Sequence, residues 1–472
     1  MRLLLALIPH IIVSTTHSFR TTFVRRHYST FYQAHSNNNK KTTKTSTIVM
    51  MSAAATTTTK SLKICIAGGG NAAHALAALL PSQGYETTMF APFQDQAQQI
   101  AEGMASQDGY MIADFASHNN IPKYSGRIQG RLTKISKDAA DVIPDADVIF
   151  MPLPSFAYPS MLESIQPHLR PNQILCVTPG QGGFDWFAKQ ILGDELLSKI
   201  VICGLMPMPF NCRIETFGKC VKVQELKRNY SIGVLPSSAF DRCKDLLTDT
   251  LHAKSVEPAG GGTMLECTMW PINAIIHPAR LYTLLNDWKP GDVLKDNPLF
   301  YEDFTPEAAG MMDRLNRDLM AVGKGLSAAG IPVGEVPHIF DWLAVHVYDE
   351  PKDSNLQQFF TTNHAYKGFR CPLIESSDDS KGGYVPDFTN RYFTEDISLG
   401  LCGYKGLAEI VGVETPTFDL IISWAQGYMG KELLVEGGSL KGAKDLGETN
   451  APQRFGIHTV EDLKQLYGDS TK

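Results

Sequence analysis

Residues 62–92 read LKICIAGGGNAAHALAALLPSQGYETTMFAP. Leu62–Ala67 is a short apolar run of strand length. Three glycines follow, and then an alanine-rich stretch without a β-branched residue, which has the composition of a helix. Strand, glycine turn and helix in that order form a cradle for a dinucleotide. Gly68 permits the tight turn, Gly70 lets a pyrophosphate approach the backbone, and Ala73 lets the helix pack closely on the sheet. The ligand's negative charge would rest against free backbone N–H groups at the helix start. The cofactor-contacting residues are therefore Gly68, Gly69, Gly70, Asn71, Ala72 and Ala73. The second strand, ETTMF, ends in Ala91 and Pro92, where an Asp or Glu would grip an NAD ribose. No arginine follows closely to meet a 2′-phosphate. The motif thus indicates a dinucleotide and leaves NAD(H) and NADP(H) both open.

Working outward, strands and helices keep alternating. DQAQQIAEGM is helical, and RLTKISKDAADVIPDADVIFMPLP is expected to hold a helix and then the strand VIFMPL. MLESIQPHL, QILCVTPG, FDWFAKQILG and KIVICGLMP continue the alternation, and KCVKVQELKRNYSIGVLP adds two strands. This pattern predicts a mostly parallel sheet covered on both faces. After the GGG at 260–262 strand-like runs nearly vanish and helical periodicity takes over. The predicted architecture is α/β, with a Rossmann-type dinucleotide-binding domain over 61–258 and an all-helical substrate domain over 259–472. One exception is the long glycine-punctuated segment from LQQFFTTNHAYKG to VPDFTNRYFTED, which reads as a folded functional loop.

The chain has 472 residues, 43% apolar, with a net charge of −6. It can bury a large core, and it has no basic block in its body to attract nucleic acid. Nine cysteines lie scattered without close pairs, the pattern of reduced buried thiols rather than of disulfides or a metal site. Residues 1–60 differ: they carry Arg and Lys but no Asp or Glu. Their apolar run LLLALIPHIIV is too short for a membrane span, and SFRTTFVRRHYST resembles an organelle transit peptide. The expectation is a cleaved targeting leader to mitochondrion or plastid, with no membrane segment in the mature form. The alternative is a disordered extension on a cytoplasmic protein.

In the second half, His277 precedes Pro278, which biases it away from helical geometry and marks a bend. Arg391 stands five residues before Asp396, and Arg280 is a rival anion binder. A histidine oriented by an aspartate can move a proton, and an arginine fork can clamp a carboxylate. Each could equally be a satisfied structural group.

GGGNAAHALA, PGQGGFDW, NCRIETFGKCVKV, IIHPARL, TTNHAYKG, VPDFTNRYFTEDI and APQRFGIHTV occur in an order that resembles the opine dehydrogenases, from about residue 62 to the C-terminus. The resemblance implies an enzyme that reductively condenses a 2-oxo acid, commonly pyruvate, with an amino acid or related amine, using NADH or in some members NADPH. It implies His277 and Asp396 as the catalytic pair and Arg391 as the clamp for a substrate carboxylate. Gln181 and Cys212 would line the pyruvate end of the cleft, and Trp342 would bound the amine pocket. Around His346 the composition differs from the arginine-using members, so another amine is expected. Such enzymes are monomers or weak homodimers that bind small molecules and no metal. NADH is the favoured cofactor. The rival readings are a simple 2-oxo acid or glycerol-3-phosphate-type dehydrogenase, and a non-catalytic dinucleotide-binding protein.

Overall fold

The computed structural model describes residues 60–116, 126–270, 273–346, 355–363, 366–377 and 382–468. The leader expected over 1–60 lies outside the described residues, Lys60 excepted.

The N-terminal strands are β1 (Lys60–Ala67), β2 (Tyr85–Phe90), β3 (Met111–Phe115), β4 (Gly126–Gly130), β5 (Lys134–Ser136), β6 (Val148–Met151), β7 (Ile174–Val177), β8 (Val201–Met206), β9 (Phe210–Thr216), β10 (Cys220–Leu226), β11 (Asn229–Leu235) and β12 (Ser255–Pro258). Interspersed helices are α1 (Asn71–Ser82), α2 (Gln96–Ala105), α3 (Tyr158–Ile165), α4 (Phe184–Leu197) and α5 (Phe240–Leu251). Eight strands form one sheet in the order β12-β11-β8-β7-β6-β1-β2-β5. The six from β5 to β8 are mutually parallel. Counted in chain order, they follow the 3-2-1-4-5-6 arrangement of dinucleotide-binding sheets. The strand order therefore reverses between β1 and β6, directly beside the glycine turn. Burial on both faces explains the continuous apolar runs. In β6, Val148 and Phe150 join the core under α1, whereas Ile149 and Met151 join the core on the opposite face.

Two expectations change. The stretch expected to begin with a helix holds strand β5 and a single 3-10 turn at Ala139–Asp141. Ser and Asp side chains hold that turn: Ser136 Oγ donates to Asp141 Oδ2 at 2.7 Å, and Asp138 Oδ1 accepts from Ala140 N at 3.0 Å. Further, the two strands of KCVKVQELKRNYSIGVLP part company. β10 joins a second, four-stranded sheet of order β4-β3-β10-β9, and β11 joins the large one.

Beyond β12 the helices are α6 (Met264–Met269), α7 (Asn273–Leu285), α8 (Pro306–Ala328), α9 (Ile339–His346), α10 (Leu356–Thr362), α11 (Arg391–Thr394), α12 (Cys402–Val411), α13 (Pro416–Met429) and α14 (Val460–Tyr467), with a π-helical turn at Asp396–Leu401. One ribbon, β13 (Leu373–Glu375) with β14 (Tyr384–Pro386), lies within the long loop segment. Helix α8 carries the core stripe Met311, Leu315, Leu319, Val322 and Leu326, an i, i+4, i+8 pattern that packs it against α7. Glu266, buried in α6, accepts from the backbone N–H of Gly261, Thr263 and Gly334, which ties the GGG stretch to the helices that follow. Among the contacts that join the two halves, Trp186 of α4 donates to the Tyr467 hydroxyl of α14 at 2.7 Å. All nine cysteines are buried free thiols. Among the described residues no helix is long and apolar enough to cross a membrane.

Candidate active site

The glycine turn leaves the start of α1 open. Gly70 caps the helix without a side-chain bond, and the first turn carries no acid. By contrast, α8 begins with the Thr305 side chain accepting from Ala308 N. The unpaired N–H groups of α1 are therefore free for an anion. Gly68 has φ +132°, which favours glycine, and a Cβ on Gly70 would meet nothing within 4 Å. Ala72 and Ala73 are buried, the latter fully, in the packing of helix on sheet. These features fit a dinucleotide pyrophosphate over Gly68–Asn71. At the other end of the cradle Ala91 is buried and β2 ends without a carboxylate.

Asn71 and His74, on the same helix, also hold the second sheet. Asn71 Oδ1 accepts from Ile214 N of β9 at 2.8 Å. His74 Nε2 accepts from Gly218 N at 2.9 Å, which places the proton on Nδ1, where it donates to Gly70 O at 3.0 Å. Burial pushes the His74 pKa down to about 4. An unfolded histidine titrates near 6.5, so between the two values the unfolded chain binds more protons than the folded one. The contribution is complete above pH ~6.5 and is lost as pH falls to about 4, on the order of 3 kcal/mol in all. Denaturant unfolding at pH 5 and pH 7 should show about 2 kcal/mol of this in the native chain and a smaller difference in His74→Asn. Equal pH slopes for the two would remove His74 as its source.

The second constellation gathers on α7. His277 is buried, its Nδ1 lies 2.7 Å from Asp396 Oδ2, and its Nε2 lies 3.0 Å from the Tyr301 hydroxyl. With Asp396 accepting from Nδ1–H, neutral His277 has its lone pair at Nε2 and accepts there from Tyr301 O–H. Tyr392 stacks on the imidazole at 3.9 Å, and Phe300 meets it edge-on at 5.2 Å. The Tyr301 phenol is raised well above the usual range, by burial first and neighbouring phenols second, so it stays a proton donor. Asp396 opens the π-turn, which seats itself on α7: a Cβ on Gly400 would stand 2.6 Å from that of Ala274. Such turns are frequent at functional sites.

One expectation is corrected here. His277 lies inside helix α7, which runs through Pro278 instead of bending before it. Bonds at both ring nitrogens and the Tyr392 stack hold a conformation that the proline disfavours locally.

Arg391 begins α11. Its half-exposed guanidinium pairs with Glu395 at 2.8 Å, one helical turn on. Glu395 is buried, and its other oxygen accepts from Ser155 N at 3.1 Å and faces Ser155 Oγ at 3.3 Å, in the turn after β6. Burial raises the Glu395 carboxyl, against the lowering pull of Arg391. Gln181 lines a cavity with Ser155, Thr268, Glu395, Asp396 and Asn450, so the PGQGG turn, the π-turn and the C-terminal segment meet there. Thr268 Oγ1 accepts from Gly183 N at 2.9 Å, and Asn450 Nδ2 donates to Gly182 O at 2.9 Å.

The remaining expected residues lie elsewhere. Cys212 is buried in the core beneath the second sheet, and burial pushes its thiol up to about 12. Its neighbour Arg213, on the other face of β9, reaches the aromatic wall instead. Trp342 packs in the helical core, where it lines a separate apolar cavity with Trp270 and Ile275. Side chains of Val345 and His346 lie outside the described residues, as do 347–354 and 364–365. Arg280 is buried, and its Nε donates to Phe300 O at 3.3 Å, a bond that supports the wall beside His277. Sequence reasoning missed Tyr301, Tyr392, Glu395, Ser155 and Arg213. Only Glu395 carried a local signal, its i, i+4 spacing from Arg391.

Several known proteins are similar to this chain along most of its length. The family model described as NAD/NADP octopine/nopaline dehydrogenase, alpha-helical domain, matches residues 261–429. The opine dehydrogenase of Haliotis discus hannai is 34% identical over 414 residues, which is 86% of this chain and 99% of that protein. The tauropine dehydrogenase of Arabella iricolor is 31% identical over 415 residues, 85% of this chain and 99% of that one. A solved octopine dehydrogenase structure with NADH and pyruvate superposes with a TM-score of 0.71 at 28% identity, covering 86% of this chain and 98% of that one. With the dinucleotide sheet, the open helix start and the buried histidine–aspartate pair in place, the chain belongs to the opine dehydrogenases, NAD(P)-dependent oxidoreductases acting on CH–NH groups.

Proposed function

We propose that the protein condenses pyruvate with the amino group of an amino acid or related amine and reduces the resulting imine, with residues 61–258 holding the cofactor and 259–472 the substrates. The observation that carries this reading is His277 held between Asp396 and Tyr301. A base whose tautomer is set at one nitrogen has a defined proton position at the other.

Arg391 anchors the 2-oxo carboxylate from the α11 start, and Glu395 keeps its guanidinium facing the Ser155 turn. As the amine nitrogen bonds to the keto carbon, the oxygen takes one proton from that nitrogen and one from Nε2 of the His277 imidazolium, and it leaves as water while the carbon–nitrogen double bond forms. Asp396 stabilises the imidazolium before and Tyr301 keeps Nε2 hydrogen-bonded after. When bound, the dinucleotide supplies the hydride that turns the imine carbon into the amine carbon. Water leaves, one proton is consumed, and a secondary amine carrying both acid groups remains.

NADH is the favoured cofactor, as in the octopine dehydrogenase complex. Lys137 lines the same depression as Pro92 and Gln94 at the end of β2, where it could serve a 2′-phosphate, so NADPH belongs in the test. The full chain is supplied with pyruvate and either nucleotide, together with arginine, alanine, glycine, β-alanine, taurine or lysine in turn. Amine-dependent oxidation is expected with at least one. Oxidation equal without amine would instead mark a simple 2-oxo acid dehydrogenase, and none at all a non-catalytic binder.

A further inference from the structure

A product with two acid groups needs two anion sites, and Arg391 provides only one. We propose that Arg213 is the second: it receives the carboxylate or sulfonate of the amine substrate and thereby sets the substrate class. This inference rests on the condensation reading above and adds a residue to it.

The Arg213 guanidinium lies with Cζ 4.7 Å from the centroid of Phe369, and its Nη1 donates to Cys212 O at 2.8 Å. Phe369 meets Tyr301 edge-on with centroids 6.0 Å apart, and the Tyr301 hydroxyl is 3.0 Å from His277 Nε2. A strand of the dinucleotide-binding half thus delivers a cation to the aromatic wall of the proton-transfer site. The charge is felt there, since Arg213 lowers the phenols of both Tyr301 and Tyr392 against the dominant effect of burial. Unlike Arg391, Arg213 pairs with no carboxylate among the described residues. The guanidinium is exposed at the strand yet held at two points, by a backbone carbonyl and a ring face. Its remaining N–H donors keep the fork geometry that suits a carboxylate or sulfonate.

The strand itself is fixed beside the cofactor cradle, because Ile214 N bonds Asn71 Oδ1 at 2.8 Å. A cation in this place favours amines that carry an acid group and an uncharged remainder. It disfavours a second positive charge, as on arginine or lysine side chains.

Arg213→Ala in the full chain should raise the KM for alanine or taurine by about 10- to 100-fold, the range for losing a charge-assisted contact. The KM for pyruvate and the affinity for NADH, followed by nucleotide fluorescence, should change less than about threefold, within the range of neutral substitutions. The native preference for alanine over ethylamine, or for taurine over ethylamine, should collapse with it. Arg213→Lys should keep part of the preference, and Arg213→Glu should shift it toward cationic amines. The retained NADH affinity shows that each variant is folded. An equal loss of NADH affinity would reassign Arg213 to the cofactor's pyrophosphate, and a rise confined to pyruvate would reassign it to the 2-oxo acid. Unchanged constants would remove it from the site. Amine-independent oxidation by the native chain would overturn the condensation reading and this inference together, whereas amine-dependent turnover with unchanged Arg213 variants would overturn this inference alone.

Discussion

Replacing His277 should lower kcat by roughly 100- to 10,000-fold, the range for removing a positioned acid–base group, with NADH affinity retained. The cofactor cradle lies on β1 and α1, and the imidazole lies on α7, so the two effects can be separated. His277→Ala would leave the Asp396 carboxylate buried without its partner, and that defect costs stability as well as turnover. His277→Gln retains an amide donor near Asp396 and is the cleaner variant. Two companions locate the effect. Asp396→Asn keeps the volume but removes the charge that stabilises the imidazolium and allows an amide N–H to face Nδ1, which favours the wrong tautomer, so it should approach the histidine variant in kcat. Tyr301→Phe removes only the bond at Nε2 and should cost less, about 10-fold, the worth of one hydrogen bond. Single-turnover oxidation of bound NADH with saturating substrates measures the chemical step. A full-speed His277→Gln enzyme would place the proton transfer elsewhere.

The parts legible in the sequence are those whose physics is local. Leu62–Leu80 could be assigned because strand composition, three glycines and an alanine-rich helix lie within one short stretch, and the turn they form needs no distant partner. The pairing of His277 with Asp396 spans 119 residues, and Glu395 with Ser155 spans 240. No periodicity connects positions so far apart, and the resemblance alone suggested the first of these pairs. Pro278 misled because local backbone preference was outweighed by tertiary bonds to the ring beside it. The step from Cys212 to Arg213 shows a finer limit. A motif names a neighbourhood, but the side-chain alternation of a strand sends adjacent residues to opposite faces, so the face must be known before a role is given. Nor could sequence show that β10 and β11 enter different sheets, since each has the same apolar alternation.

Arg391→Gln should raise the KM for pyruvate by about 100-fold, equivalent to about 2.7 kcal/mol for a lost bidentate clamp, and leave NADH binding unchanged. Glu395→Gln distinguishes a clamp from a structural ion pair. The glutamine oxygen can still accept from Ser155 N, so the link to the β6 turn persists. Its amide, however, would present N–H groups to the guanidinium, and Arg391 would lose its anchor. If Arg391 exists to hold substrate, Glu395→Gln should give a smaller rise in pyruvate KM, with Tm little changed. If the pair is merely structural, both variants should lower Tm alike and leave KM in place. Rank order decides between them: a KM for pyruvate that rises from native to Glu395→Gln to Arg391→Gln identifies Arg391 as the residue that meets the 2-oxo acid and Glu395 as the residue that aims it.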